Sequence, residues 1–293
     1  MKNIIFTLLI AVLIHILYSC QNASNGQQQS NQQTALLVNF VYDLANSKKY
    51  DLSSNLDEIS GITFHPDNSN LLYAIQDEDG KVFTYDLSTE KVVDEFTFGK
   101  NGDYEGIATD GKYIYVLRSD GDIYYFPFEH NRDKNSVKII KNVVPKGEYE
   151  SLAYQAKDNS LLILCKECKV DKSKATLTGY KFGVLPDGSL NTPSSFAIDL
   201  QQLKSLDNTL STQLKPAAIT YNQHSNEWYI LSSIDKVLIV ADLDFHIKKV
   251  IPFKRSQFEQ PEGMAISKEG HLYISSEMGN TSSASLYKFQ MQK

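Results

Sequence analysis

Glu105, Glu150 and Glu262 hold the same place in a phrase that recurs along the chain, with Ser60 and Ala217 at its two other occurrences. The steps between the five positions are 45, 45, 67 and 45 residues. Two residues earlier stand Glu58, Asp103, Glu148, Lys215 and Gln260. If the repeats close around one axis, these two sets become neighbouring rings, because residues two apart on a strand share a face. Crowded carboxylates raise one another's pKa values. A hard divalent cation relieves that repulsion, and calcium takes about six to eight oxygen ligands in flexible geometry. Carboxylates without His or Cys argue against zinc. The expected ligands are Glu105, Glu150 and Glu262, then Glu58 and Asp103. The alternative is that these side chains only bond backbone amides at the strand start or face water. Ala217 leaves the ring incomplete on either reading.

A second set follows the second strand of each repeat: Asp77 and Glu78, Arg118, Lys166 and Glu167, Ser232 and Ser233, Ser276 and Glu277. Arg118 and Lys166, with Glu78 and Glu277, are candidates for holding an anionic ligand beside a bound cation. Their simpler role is as ion-pair partners that make the acidic ring tolerable without metal.

The elements that position these residues follow from the repeat. Each phrase leads into an apolar strand, among them Leu71 to Ile75, Tyr113 to Leu117, Leu161 to Leu164, Trp228 to Leu231 and Leu272 to Ile274. A third strand follows a polar gap, and often a fourth, as at Val92 to Phe98 and Ile247 to Phe253. The strands are rich in Val, Ile, Tyr and Phe, with Asp-Gly turns between them. Four strands in about 45 residues is the unit of a propeller blade. The expected fold is therefore all-β, a β-propeller of five four-stranded blades, with six blades as the alternative. The 67-residue step predicts a decorated blade with a long loop over Val170 to Thr212, and Leu200 to Leu206 is the one short helix candidate. The last repeat has no room for a full fourth strand. The apolar segment Leu36 to Leu44 is expected to supply it, joining the chain ends and removing an open sheet edge.

The segments Glu58-Ile59-Ser60-Gly61-Ile62, Gly102-Asp103-Tyr104-Glu105-Gly106-Ile107-Ala108 and Gln260-Pro261-Glu262-Gly263-Met264 resemble the signatures of the SdiA-regulated, YjiK-like family. That family includes proteins described as calcium-regulated β-propellers. The resemblance spans Leu36 to Phe289. It implies a propeller and a link to calcium, and it implies no particular reaction.

The N-terminus predicts export. Lys2 precedes an apolar run from Ile4 to Leu17, the length of a signal-peptide core and short for a membrane span. Leu17-Tyr18-Ser19-Cys20 resembles a bacterial lipobox, which implies cleavage before Cys20 and its lipidation. The expected organisation is a signal over 1–19, a polar tether over 20–35 and the propeller over 36–293. Gln21 to Thr34 carries almost only Gln, Asn, Ser and Gly, too few apolar groups to bury. Two cysteines remain, Cys165 and Cys168. Export permits a disulfide, but residues three apart on a regular strand face opposite sides. The favoured reading is one core cysteine and one at a strand end.

Net charge is −6 with both signs spread along the chain, so no basic patch is expected and nucleic acid is disfavoured as a partner. No Gly-rich phosphate loop, G-x-S-x-G elbow or zinc spacing is present. The leading expectation is a monomeric, lipid-anchored protein of the bacterial cell envelope, on its periplasmic or surface side. Its acidic mouth would bind calcium and a small-molecule ligand or an envelope partner. The alternative is a calcium-dependent propeller hydrolase, phosphoesterase (phytase-like) or lactonase-like, in which the metal polarises substrate and orients water. A third is an inert scaffold. His65, His130, His224, His246 and His271 all lie outside the repeated phrase, which weakens the hydrolase reading.

Overall fold

The computed structural model describes residues 40–128, 133–172, 174–254 and 256–292; the signal segment, Cys20 and the tether lie outside them. Its strands form five four-stranded antiparallel sheets, as the repeat predicts. The N-terminal strand β1 (Lys48–Asp51) belongs to the last sheet. Blade one is β2 (Ile59–His65), β3 (Asn68–Gln76), β4 (Lys81–Asp86) and β5 (Lys91–Thr97). Blade two is β6 (Tyr104–Thr109), β7 (Tyr113–Arg118), β8 (Ile123–Pro127) and β9 (Lys138–Ile140). Blade three is β10 (Gly147–Gln155), β11 (Ser160–Cys168), β12 (Thr176–Gly183) and β13 (Ser194–Asp199). Blade four is β14 (Ala218–Asn222), β15 (Glu227–Ser232), β16 (Val237–Ala241) and β17 (Ile247–Pro252). Blade five is β18 (Gln260–Ile266), β19 (Leu272–Glu277) and β20 (Ser285–Phe289), with β1 paired outside β20.

Burial follows strand order within a blade. The second strands are apolar on both faces because a neighbouring blade covers each face: Ile114, Tyr115, Val116 and Leu117 of β7 are all fully buried. The outer strand β5, Lys-Val-Val-Asp-Glu-Phe-Thr, is mostly exposed or half-buried. The core therefore lies between blades. One cluster joins Ile75 and Phe98 of blade one to Tyr104, Val116 and Phe126 of blade two. Phe98 and Tyr104 meet edge to face at 4.9 Å, a favoured aromatic geometry. The innermost strands β2, β6, β10, β14 and β18 pack on one another in sequence order and close the ring.

Three expectations change in detail. The closing strand is Lys48–Asp51 rather than Leu36 to Leu44. An outermost strand needs only one apolar side chain, and Tyr50 supplies it while Lys48, Lys49 and Asp51 stay exposed. Tyr42 instead makes a single bridge to Met291 and donates its hydroxyl to the Gly270 carbonyl at 2.7 Å. The insertion in blade three is structured as well as long, because it contains β12, β13 and helix α1 (Gln201–Leu206) at the expected helical site. Leu203 anchors that helix in the core between blades three and four.

The third change concerns the cysteines. Cys165 and Cys168 form a disulfide, with Cα atoms 6.0 Å apart. The alternation argument fails because β11 is not regular there. Glu148 pairs with Glu167 and Tyr149 with Cys165, so Lys166 is left without a cross-strand partner. That bulge resets the side-chain alternation and lets the two sulfurs meet.

Candidate functional site

The repeated phrase builds the same local feature in four blades, a β-bulge at the aligned position. In β2, Ile59 pairs with Gln76 and Gly61 with Ile75, leaving Ser60 over. The same skip leaves Glu105 over in β6, Glu150 in β10 and Glu262 in β18. A bulge re-aims the side chain of the extra residue. In blade four the strand β14 starts one residue after Ala217 and shows no such shift. There the Ala217 N–H bonds the carbonyl of Leu231, the residue that also pairs with Ala218, at 2.8 Å.

Glycine follows the bulge at Gly61, Gly106 and Gly263, and close approach between inner strands requires it. A Cβ on Gly106 would sit 2.8 Å from the Leu152 Cβ, and one on Gly61 would sit 3.3 Å from the Gly106 Cα. Two residues past the bulge stand Ile62, Ile107, Leu152, Ile219 and Met264, all at most 5% exposed. They line a central cavity of about 150 Å³, so the bulge residues sit at one end of the channel with an apolar ring behind them.

The carboxylates act on one another electrostatically, but among the described residues no three of them bring ligand atoms within 4.8 Å of one another. Glu105 is pushed up to about 9, first by burial and then by Glu150 and Asp103. Glu150 is pushed up to about 7 by burial, although Lys166 pulls it down; Glu262 and Glu148 add to the rise. Glu262 is raised by burial against the Ser233 hydroxyl and the charges of Lys166 and Lys236. Glu277 is pushed up to about 8 by burial and by Glu262, Glu58, Asp77 and Glu150. Burial is the first cause in each case: these groups are held out of water, where the charged form is costly.

Lys166 is the central cation. Its ammonium bonds Glu150 and lies 3.3 Å from Glu148. Burial alone would lower its pKa, but the two carboxylates outweigh burial and hold it above the ordinary value. Lys166 and Lys236 face more acids than they can balance, which leaves the site short of positive charge.

The other sequence candidates divide. Glu58 and Asp103 act on this cluster at its rim, Glu58 half-buried and Asp103 exposed. Glu277 belongs to it and accepts from the Gln260 amide at 2.6 Å. Glu78 is exposed and touches the cluster only through its effect on Asp77. Arg118 is committed elsewhere: its guanidinium donates to Asp120 at 2.6 Å, Asp122 at 2.8 Å and the Tyr124 hydroxyl at 3.1 Å. Ser60 donates to the Tyr104 carbonyl at 2.6 Å and ties blade one to blade two.

Asp77 is the group that the repeated phrase did not select. Its carboxyl is raised by burial, then by Glu58 and Glu78. Its Oδ1 is buried and has no hydrogen-bond partner among the described residues. A buried carboxylate oxygen without a donor is costly, and a hard cation would satisfy it. The donor set, carboxylates with one serine hydroxyl, suits calcium or magnesium. A separate grouping of Asp242, Asp244 and His246 lies in the β16–β17 turn. There Asp242 accepts from the Asp244 and His246 amides, each at 2.9 Å. Turn closure accounts for that grouping.

Known proteins match this fold. A crystal structure of Myxococcus xanthus glutaminyl cyclase is similar with a TM-score of 0.56 at 15% identity, over 84% of this chain and 94% of that one. A luciferin-regenerating enzyme is similar with a TM-score of 0.52 at 9% identity, over 84% and 95%. At these identities the likeness establishes the propeller and nothing about activity. No curated protein matches the chain. The SdiA-regulated family description matches residues 33–281, the stretch that holds every copy of the repeated phrase and all the clustered acids, and the chain belongs to that family.

Proposed function

We propose that this is a cell-envelope binding protein, held to a membrane through a lipidated Cys20, whose channel mouth binds a calcium-class divalent cation and through it an anionic ligand or envelope partner. The observation that carries the metal is the buried Asp77 Oδ1, which has no hydrogen-bond partner among the described residues, on a carboxyl that acts on Glu262 and Glu277; these two, with Glu105 and Glu150, resist ionising. A dication would supply the positive charge that Lys166 and Lys236 do not. The Cys165–Cys168 disulfide supports an oxidising compartment outside the cytosol. The hydrolase alternative gains no support from histidine: His65 bonds the Gly111 carbonyl, His246 pairs with Asp242 and His271 accepts from the Met291 amide.

The test is thermal unfolding of the protein stripped of metal and titrated with calcium or magnesium. A cation that binds only the folded state raises the midpoint by mass action. The midpoint should rise with calcium, and Glu105→Gln with Glu262→Gln together should abolish the rise. A midpoint unmoved by millimolar calcium overturns the proposal.

A further inference from the structure

We propose that the Cys165–Cys168 disulfide is a thiol–disulfide exchange site whose reaction partner is an anionic small-molecule thiol, drawn in by a cationic cleft. The cleft, about 660 Å³, is lined by both cysteines and by Lys146, Lys169, Lys172 and Lys174. Lys166 and Lys215 also line it, but they are held by Glu150 and Glu167. The other four lysines form no ion pair with a carboxylate among the described residues. Asp171, the remaining acid of the lining, is spent on Thr176 and Thr178. The cleft is thus strongly positive in a chain of net charge −6.

The two sulfurs differ in access. Cys165 is 1% exposed, whereas Cys168 is half-buried. A Cβ on Gly147 would overlap the Cys168 sulfur, so glycine keeps one flank of that sulfur clear. The bridge joins residues three apart in sequence. Such a short loop constrains the unfolded chain far less than a long-range bridge would, so stabilisation is a weak account of its presence.

The chemistry balances with two thiols. A thiolate attacks the Cys168 Sγ, a new S–S bond forms there, and the Cys165–Cys168 bond breaks. The electron pair leaves on Cys165 as thiolate, which takes a proton from water. A second thiolate attacks the outer sulfur of the mixed disulfide. It releases the small-molecule disulfide and the Cys168 thiolate. Two external thiols are oxidised and the protein disulfide is reduced by two electrons. The lysines act twice, by concentrating an anionic thiolate in the cleft and by stabilising the thiolate that departs.

The test uses the intact oxidised chain under native conditions. It compares reduction by mercaptoacetate, an anionic thiol, with reduction by cysteamine, a cationic one, each rate divided by that thiolate's rate on a neutral small-molecule disulfide, because the two thiolates differ in basicity and hence in intrinsic nucleophilicity. Trapping of free thiols gives the rates. Mercaptoacetate should be faster by at least about tenfold at low ionic strength. That preference should collapse toward unity near 1 M salt and in Lys169→Glu with Lys172→Glu. Both lysines are exposed, and an unchanged thermal midpoint would show that the variant folds. Should the variant fail to fold, the salt dependence of the unaltered chain tests the same electrostatic attraction. Equal rates for the two thiols, a preference indifferent to salt, or reduction only in denaturant would each overturn the proposal.

Discussion

Glu150 on β10 and Lys166 on β11 are each the residue left without a cross-strand partner, and they pair with each other. Two bulges on adjacent strands thus point an acid and its counter-ion at one spot. Lys166→Met would leave a carboxylate that is 8% exposed without its cation. Removing one partner of a buried pair is strongly destabilising. With Lys166 itself 22% exposed, the expected cost is about 1–3 kcal/mol, below the fully buried range. Adding Glu150→Gln should restore more than half of it. Urea unfolding of the two single variants and the double variant measures the coupling.

The raised carboxylates set a pH dependence of definite sign. Glu105 and Glu277 stand at about 9 and 8 when folded, against an ordinary 4.5 in the unfolded chain. Between those limits the folded state binds more protons than the unfolded state, so stability falls as pH rises. The metal-free midpoint should be highest near pH 4.5 and should decline steadily toward pH 9. Glu105→Gln should flatten the decline, because glutamine never ionises. Scanning calorimetry across that range reads both, and a metal-free midpoint that rises toward pH 9 refutes the assignment. Cation binding must displace these protons, so calcium affinity should increase over the same interval.

Gly106 is where two inner strands come closest. Gly106→Ala places a methyl 2.8 Å from the Leu152 Cβ and 3.1 Å from its backbone nitrogen. The strands must separate, at about 1–3 kcal/mol by the usual cost of overpacking. Chemical denaturation measures that cost, and a weakened calcium shift in the same variant would show that strand spacing sets the acidic geometry.

Tyr42 holds the N-terminal segment to the last blade. Its hydroxyl donates to the Gly270 carbonyl at 2.7 Å and accepts from the Asn222 amide at 3.2 Å. Tyr42→Phe leaves the carbonyl buried without that donor, while Asn222 keeps the Tyr229 hydroxyl. The expected loss is about 1–2 kcal/mol. Hydrogen exchange should localise the change to β20 and β1.

The spacing of Glu105, Glu150 and Glu262 is enough to read the blade and to place these acids at equivalent positions of the inner strands. Each repeat contributes one inner strand, and equivalent positions must meet at the axis. The bulges are not legible in sequence, because a bulge is a property of the pairing between two strands. Strict alternation across Lys166 therefore separates Cys165 from Cys168, where the folded strand brings them together. Asp77 is visible as part of the second constellation, but burial of its Oδ1 depends on the folded mouth. The closing strand is misplaced by hydrophobicity because apolar runs mark central strands well and outer strands poorly. Lys48–Asp51 carries a single apolar anchor, Tyr50.

The pairing of β1 with β20 fixes an order of events during synthesis. β1 is made first and used last. Its partner residues Ser285 to Lys288 emerge only after the intervening blades, and the Tyr42 hydroxyl contact spans 228 residues. Contacts of such separation are slow to form. Blades one to four can be assembled from contiguous sequence, while β1 must wait unpaired until β20 emerges. An unpaired edge invites pairing with another chain. The nascent protein is therefore most exposed to misassembly before that pairing forms, at the seam between β1 and β20.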